Sequence, residues 1–214
     1  MKTPIQIAPQ VPVSCDSSQG HTLSSQVVRL QAVTLVWMLV ECGIALTSAW
    51  RARSPALLAF GADSFVELLS AMVVLLQFVP RFTLSQARAA RWAGILLFVL
   101  AGVVTATAVA TLFAGVEPDP SWLGIGVTVA ALLVMPVLSR AKRRTARRLN
   151  NSALAADAVQ SATCAYLAAI TLLGLTVNAA FCLPWIDPAA ALIAVPIICL
   201  EGRRALRAEA CGCC

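Results

Sequence analysis

The 214-residue chain is 59% hydrophobic and only 12% charged, with a net charge of +6 and a mean hydropathy of +0.83. These values exclude an ordinary soluble domain. The basic residues cluster between apolar stretches, which fits the positive-inside rule of membrane proteins and argues against a nucleic-acid-binding face.

Residues 1–26 form a polar tail without the apolar core of a signal peptide, so no cleavage is expected. Six stretches then approach the roughly 20 mostly apolar residues of a spanning helix. They cover 27–49, 54–79, 92–114, 121–139, 153–177 and 185–200. The breaks fall at Arg51 to Pro55, Pro80-Arg81, Glu117-Pro-Asp-Pro120, the basic run 140–148, and 182–184. The expected fold is all-α: a polytopic, six-transmembrane-helix bundle over 27–204, followed by a Cys-rich tail at 205–214. The arginines and lysine between spans two and three, between four and five and after span six put both termini in the cytoplasm.

The first span carries one acid, Glu41. It serves as a proton relay or second ligand, or hydrogen-bonds as a neutral acid. The second span carries two, Asp63 and Glu67, at a spacing of i, i+4 that puts both on one helix face. One charge at the bilayer centre costs roughly 2.5–3.5 kcal/mol on insertion scales, and intramembrane acids mark functional sites by default. No Lys, Arg or His is expected inside any span, so a bound cation or proton is the expected compensation.

Span five presents Asp157, Gln160 and Cys164 at i, i+3, i+7, a single helical stripe. Cys164 is expected near the depth of Glu67, with Gly61, Ala62, Ala158 and Ala162 letting helices two and five approach closely. Asp157 is either a ligand or a salt-bridge partner for Arg147 or Arg148. Asp187, followed by Pro188, reads as the N-cap of helix six. The eight cysteines are too scattered for a disulfide framework. Cys42 and Cys199 read as small buried apolar residues, whereas Cys211, Cys213 and Cys214 either capture a soft metal ion or stay unbound.

At these residues the chain resembles the cation diffusion facilitator, or cation efflux, family of metal exporters. The family's Asp/His-x-x-x-Asp pair in helix two is here Asp63-Ser-Phe-Val-Glu67. Its Ala-Asp-x-x-His-x-x-x-Asp in helix five is here Ala156-Asp157-Ala-Val-Gln160-Ser-Ala-Thr-Cys164, and an Asp at the start of helix six is Asp187. Gln160 and Cys164 thus depart from the usual zinc ligands. The chain is expected to represent a short branch with the transmembrane domain only. The resemblance implies a homodimer that exchanges a divalent metal for protons at a site between helices two and five.

The expected function is therefore a secondary transporter, not an enzyme, exporting a divalent transition metal, foremost Zn²⁺, by proton antiport across the plasma or inner membrane. Asp63, Glu67 and Cys164 would be ligands, with Gln160 or Asp157 completing the set. The expected partners are divalent cations, protons, lipid and a second copy, with no nucleic acid and no resident cofactor. The alternative is a non-transporting membrane metal sensor or an accessory subunit.

Overall fold

The computed structural model describes residues 17–76, 86–149 and 152–207. The Pro80-Arg81 break, the first part of the polar tail, and Cys211, Cys213 and Cys214 lie outside the described residues. Among those residues the chain forms six helices and no strand: α1 Ser17–Ala52, α2 Pro55–Leu76, α3 Gln86–Ala114, α4 Trp122–Leu149, α5 Ser152–Phe181 and α6 Ile186–Arg207. The helices α1 to α5 are long and apolar enough to cross a membrane. In α6 the apolar run is bounded by Asp187 and Glu201, and both acids are buried against neighbouring helices.

Each expected span coincides with a helix, but α1 starts earlier, at Ser17, α3 starts earlier, at Gln86, α6 runs on to Arg207, and α4 ends later. That helix continues through the basic run to Leu149, well past the expected end at Ser139. Arg140, Arg143, Arg144, Arg147 and Arg148 line its exposed side. Lys142 does not; it is fully buried. The expectation that no cation lies inside the bundle is therefore corrected.

Tight connections gather one end of the bundle. Left-handed residues Arg53 (φ 51°) and Gly115 (φ 62°) follow α1 and α3. Beside them, N–H groups of Ser54 and Val116 reach back to the carbonyls of Ala49 (3.1 Å) and Thr111 (3.2 Å), closing Schellman-type ends. Asp119 N–H donates to the carbonyl of Ala52 (2.9 Å), and Asn178 Nδ2 donates to that of Pro118 (3.0 Å). Asp187 completes this end, though not as the cap of its own helix. Its Oδ1 accepts the Ala56 N–H (3.1 Å) and its Oδ2 the Ser54 hydroxyl (2.6 Å), while Ser54 Oγ accepts the Leu57 N–H (3.1 Å). The Ser-Pro cap belongs to α2, whose unsatisfied first-turn donors attract the carboxylate.

The most extensive helix pairings are α4 with α5, α1 with α2, and α3 with α6, while α2 also touches α3, α5 and α6. The helix with two acids thus occupies the centre, as the cost of charge in lipid requires. Exposed Val36, Leu39, Val99, Leu133, Leu173 and Ile193 face outward, with exposed Trp50, Trp122 and Trp185 near the capped end. Two of the expected small residues meet other helices. A Cβ at Gly61 would lie 3.0 Å from Ala45 Cβ, so Gly61 admits α1 rather than α5. The Ala158 carbonyl accepts the Ser139 hydroxyl of α4 (2.7 Å). Polar side chains also link α2 and α5, including Thr171 Oγ1 on the Ala56 carbonyl (3.3 Å).

Close approach decides the α3–α6 seam. A Cβ at Gly94 would lie 2.8 Å from Leu206 Cγ and 3.0 Å from the Gly202 carbonyl oxygen, whereas one at Gly102 would meet nothing within 4 Å. Gly94→Val should destabilise the protein by about 1–3 kcal/mol through overpacking. Gly102→Ala, in open space on its helix, should be neutral or stabilising by up to about 1 kcal/mol. Thermal unfolding in detergent compares the two; equal effects would mean the seam tolerates a wider separation.

Candidate cation site

Four helices turn polar stripes toward one interior. On α1 the buried stripe is Gln31, Thr34, Met38, Glu41 and Ala45; on α2 it includes Phe60, Asp63, Ser64, Glu67 and Ala71. On α4 it runs Thr128, Ala131, Met135, Ser139, Lys142 and Ala146, and on α5 Asp157, Ser161, Cys164 and Ala168. Spacings of three and four residues keep each set on one helix face. Such stripes keep polar atoms away from lipid, where an unsatisfied group costs several kcal/mol.

The layer farther from the capped end centres on Lys142. Its Nζ lies 3.0 Å from Asp157 Oδ2 and 3.4 Å from Glu67 Oε1, with all three side chains fully buried. It also donates to Ser161 Oγ at 2.7 Å, and Ser161 in turn donates to Glu67 Oε1 through a short hydrogen bond. From α1, Gln31 Nε2 donates to Asp157 Oδ2 at 2.8 Å. The ammonium's three hydrogens thus match three acceptors drawn from α2 and α5.

One turn toward the capped end, Glu41 takes the centre. Its Oε1 accepts the Ser64 hydroxyl (2.7 Å) and the Cys164 thiol (3.6 Å), and its Oε2 accepts Trp37 Nε1 (2.5 Å). Cys164 Sγ is 3.9 Å from Ser64 Oγ. Asp63 has Glu67, Glu201 and Glu41 as acidic neighbours. Glu201 is itself held by the Thr163 hydroxyl, with Arg204 Nη1 at 3.9 Å on the exposed side.

Five buried side-chain oxygens have no hydrogen-bond partner among the described residues, and three of them are carboxylate oxygens: Asp63 Oδ2, Glu67 Oε2 and Asp157 Oδ1, beside Gln31 Oε1 and Ser48 Oγ. Buried polar atoms are rarely left this way. Glu41, Asp63, Glu67, Asp157 and Glu201 supply acid to the interior, and Lys142 is the one buried base among the described residues. The interior therefore carries more acid than its own cation can balance.

The expected ligands are distributed over both layers. Asp63 and Glu67 share a buried face as expected. Cys164 sits with Asp63, Ser64 and Glu41, a turn away from the expected level of Glu67. Asp157 pairs with Lys142, while Arg147 and Arg148 are exposed. Gln160 is half-buried, and no hydrogen bond joins it to Asp63, Glu67 or Cys164; Ser161 occupies the inward position instead. Among the described residues no three His, Cys, Asp or Glu side chains converge into a preformed metal cage. Cys42, Cys164, Cys182 and Cys199 are free thiols. Sequence reasoning missed Lys142, Ser161, Gln31, Ser64, Trp37 and Glu201. The signal for Lys142 was its phase: it continues the Thr128, Ala131, Met135 stripe that the neighbouring arginines leave.

The profile of the cation efflux transmembrane domain matches residues 89–210, from α3 through α6. The chain belongs to the cation efflux family. Comparison with curated proteins finds no match. The family consists of metal-cation transporters, and the apolar helices make this member an integral membrane protein. The matched region contains Lys142, Asp157, Ser161 and Cys164, while Glu41, Asp63 and Glu67 join them from α1 and α2 through packing.

Ser161 and Gln160 separate the two readings of the α5 stripe. Ser161→Ala removes the hydroxyl between Lys142 and Glu67 and should cost about 1–3 kcal/mol, the penalty for an unsatisfied buried partner. Gln160→Ala should stay within about 0.5 kcal/mol. Thermal unfolding of the two purified variants makes the comparison. A larger loss for Gln160→Ala would return Gln160 to the interior stripe.

Proposed function

We propose that this cation efflux protein is a secondary transporter that exports a divalent transition metal, foremost Zn²⁺, from the cytoplasm in exchange for protons. The observation that supports this reading best is the set of unpartnered oxygens on Asp63, Glu67 and Asp157 inside an acid-rich interior. Excess buried acid has to be balanced by protons or by a cation. Both carboxylate and thiolate must be deprotonated to bind metal, so metal and protons compete for the same atoms. A cytoplasmic metal then expels protons, and protons entering from the other side expel the metal.

The transported ion would use Asp63, Glu67 and Cys164, with Asp157 or Gln160 completing the set. Glu41, whose two oxygens are already held by donors, would hand protons to Asp63 rather than ligate. Rocking of the helices would alternate access. Pro136 and Pro196 lie inside α4 and α6, where each removes a backbone hydrogen bond and lets its helix flex. The protein would work as a homodimer in the plasma or inner membrane, without a resident cofactor. The Cys211, Cys213 and Cys214 tail would capture metal ions at the cytoplasmic side.

Asp63→Asn should leave a folded protein, since an amide is cheaper in the membrane than a carboxylate. Metal flux into proteoliposomes should be nearly abolished. Undiminished flux would remove Asp63 from the transport site.

Thiolate favours softer ions such as Zn²⁺ and Cd²⁺, whereas carboxylate oxygen suits Mn²⁺. Cys164→Asp should therefore lower the ratio of Cd²⁺ to Mn²⁺ flux at a fixed pH gradient, by about tenfold if the thiolate contributes 1.4 kcal/mol of preference. An unchanged ratio would make Cys164 a packing residue.

A further inference from the structure

Lys142 is held by an uneven grip. Asp157 Oδ2 at 3.0 Å and Ser161 Oγ at 2.7 Å are its short contacts, whereas Glu67 Oε1 stands at 3.4 Å. Asp157 is fixed further by Gln31. Glu67 keeps its second oxygen unpartnered, and so does Asp63 one turn along the same face. Glu67 is thus the looser partner of the lysine by distance and, like Asp157, keeps one oxygen free.

From this geometry we infer that Lys142 is a tethered counter-cation for Glu67, which an arriving divalent cation must displace, and that it thereby sets the affinity and charge selectivity of the site. The inference rests on the transport reading of the same acids. When a dication binds, Glu67 turns from Nζ to the ion shared with Asp63, and Lys142 stays anchored on Asp157 and Ser161. A tethered group has a high effective concentration, so a monovalent ion of equal charge gains nothing by competing with it. A dication brings twice the charge to the same carboxylates and wins. The same competition keeps the dication from binding too tightly to leave. Lys142 acts here as a positioning residue, with no contact to the cargo.

The test is calorimetric binding of Cd²⁺ and Zn²⁺ to the purified protein in detergent at fixed pH, with and without excess K⁺. Lys142→Met should tighten divalent binding by about tenfold or more, equivalent to about 1.4 kcal/mol, and make it sensitive to K⁺. Lys142→Arg keeps the charge and should stay within about threefold of wild type, indifferent to K⁺. Because Lys142→Met leaves buried acids without their cation and can fail to fold, Lys142→Gln, whose neutral amide still hydrogen-bonds in place of the ammonium and leaves every proposed ligand intact, supplies a second variant. It too should bind more tightly than wild type and respond to K⁺. Unchanged or weaker binding in the folded variants overturns the inference while leaving the transport reading intact. Failure of both variants to fold also overturns it, since the ammonium would then be a structural tie. Wild-type protein that binds neither metal overturns both readings.

Discussion

The buried ion pair of Lys142 with Glu67 and Asp157 constrains the rest of the bundle. An ammonium removed from water is tolerated only with close, well-directed acceptors, and deleting one partner of such a pair costs about 3–5 kcal/mol. Those acceptors come from α2 and α5, so α4 must lie where both can reach its buried stripe. The α4–α5 pairing, the central position of α2 and the contact from Gln31 on α1 all meet that requirement. At the other end, Asp187 ties α6 to the first turn of α2. The acids are therefore carried on helices fixed at both ends.

Within that frame the acids differ in how fully they are satisfied. Glu41 has a donor on each oxygen, from α1 and α2 themselves. Glu67 and Asp157 each have one oxygen engaged and one unpartnered, and Asp63 Oδ2 is likewise unpartnered. Satisfied groups hold structure; unsatisfied ones retain capacity to bind. The gradient runs from Glu41 toward Asp63 and Glu67, the same acids singled out by the i, i+4 pair in helix two. Membership in the cation efflux family gives that capacity a cargo, a metal cation.

The helices were legible because their apolar runs are long and their breaks carry Pro, Gly and charge. The end of α4 was not, because a dense basic run reads equally well as a cytoplasmic loop and as the solvated side of a continuing helix. Only the phase of Lys142 relative to Thr128, Ala131 and Met135 separates the two. On α5 Asp157 and Cys164 lie on the buried face as expected, and only Gln160 was misplaced, one residue or about 100° from the inward Ser161. Both sets of three fit a single helix face equally well. Serine carries no charge to attract notice, although its hydroxyl links Lys142 to Glu67. Asp187 was legible as a cap, but sequence could not say whose. Its partners Ser54 and Ala56 lie far away in the chain, and only the packing of α6 on α2 brings them together.

The central claim is that these buried acids exchange a divalent metal for protons across the membrane. The most direct test reconstitutes the purified wild-type protein in liposomes carrying a metal-sensitive and a pH-sensitive dye, then imposes a pH gradient with no initial metal gradient. The account predicts net metal movement toward the acidic side, accompanied by proton movement the other way, and neither flux without the other. Metal binding without any movement of metal would contradict it and leave a sensor. Metal movement that ignores the pH gradient would contradict the exchange.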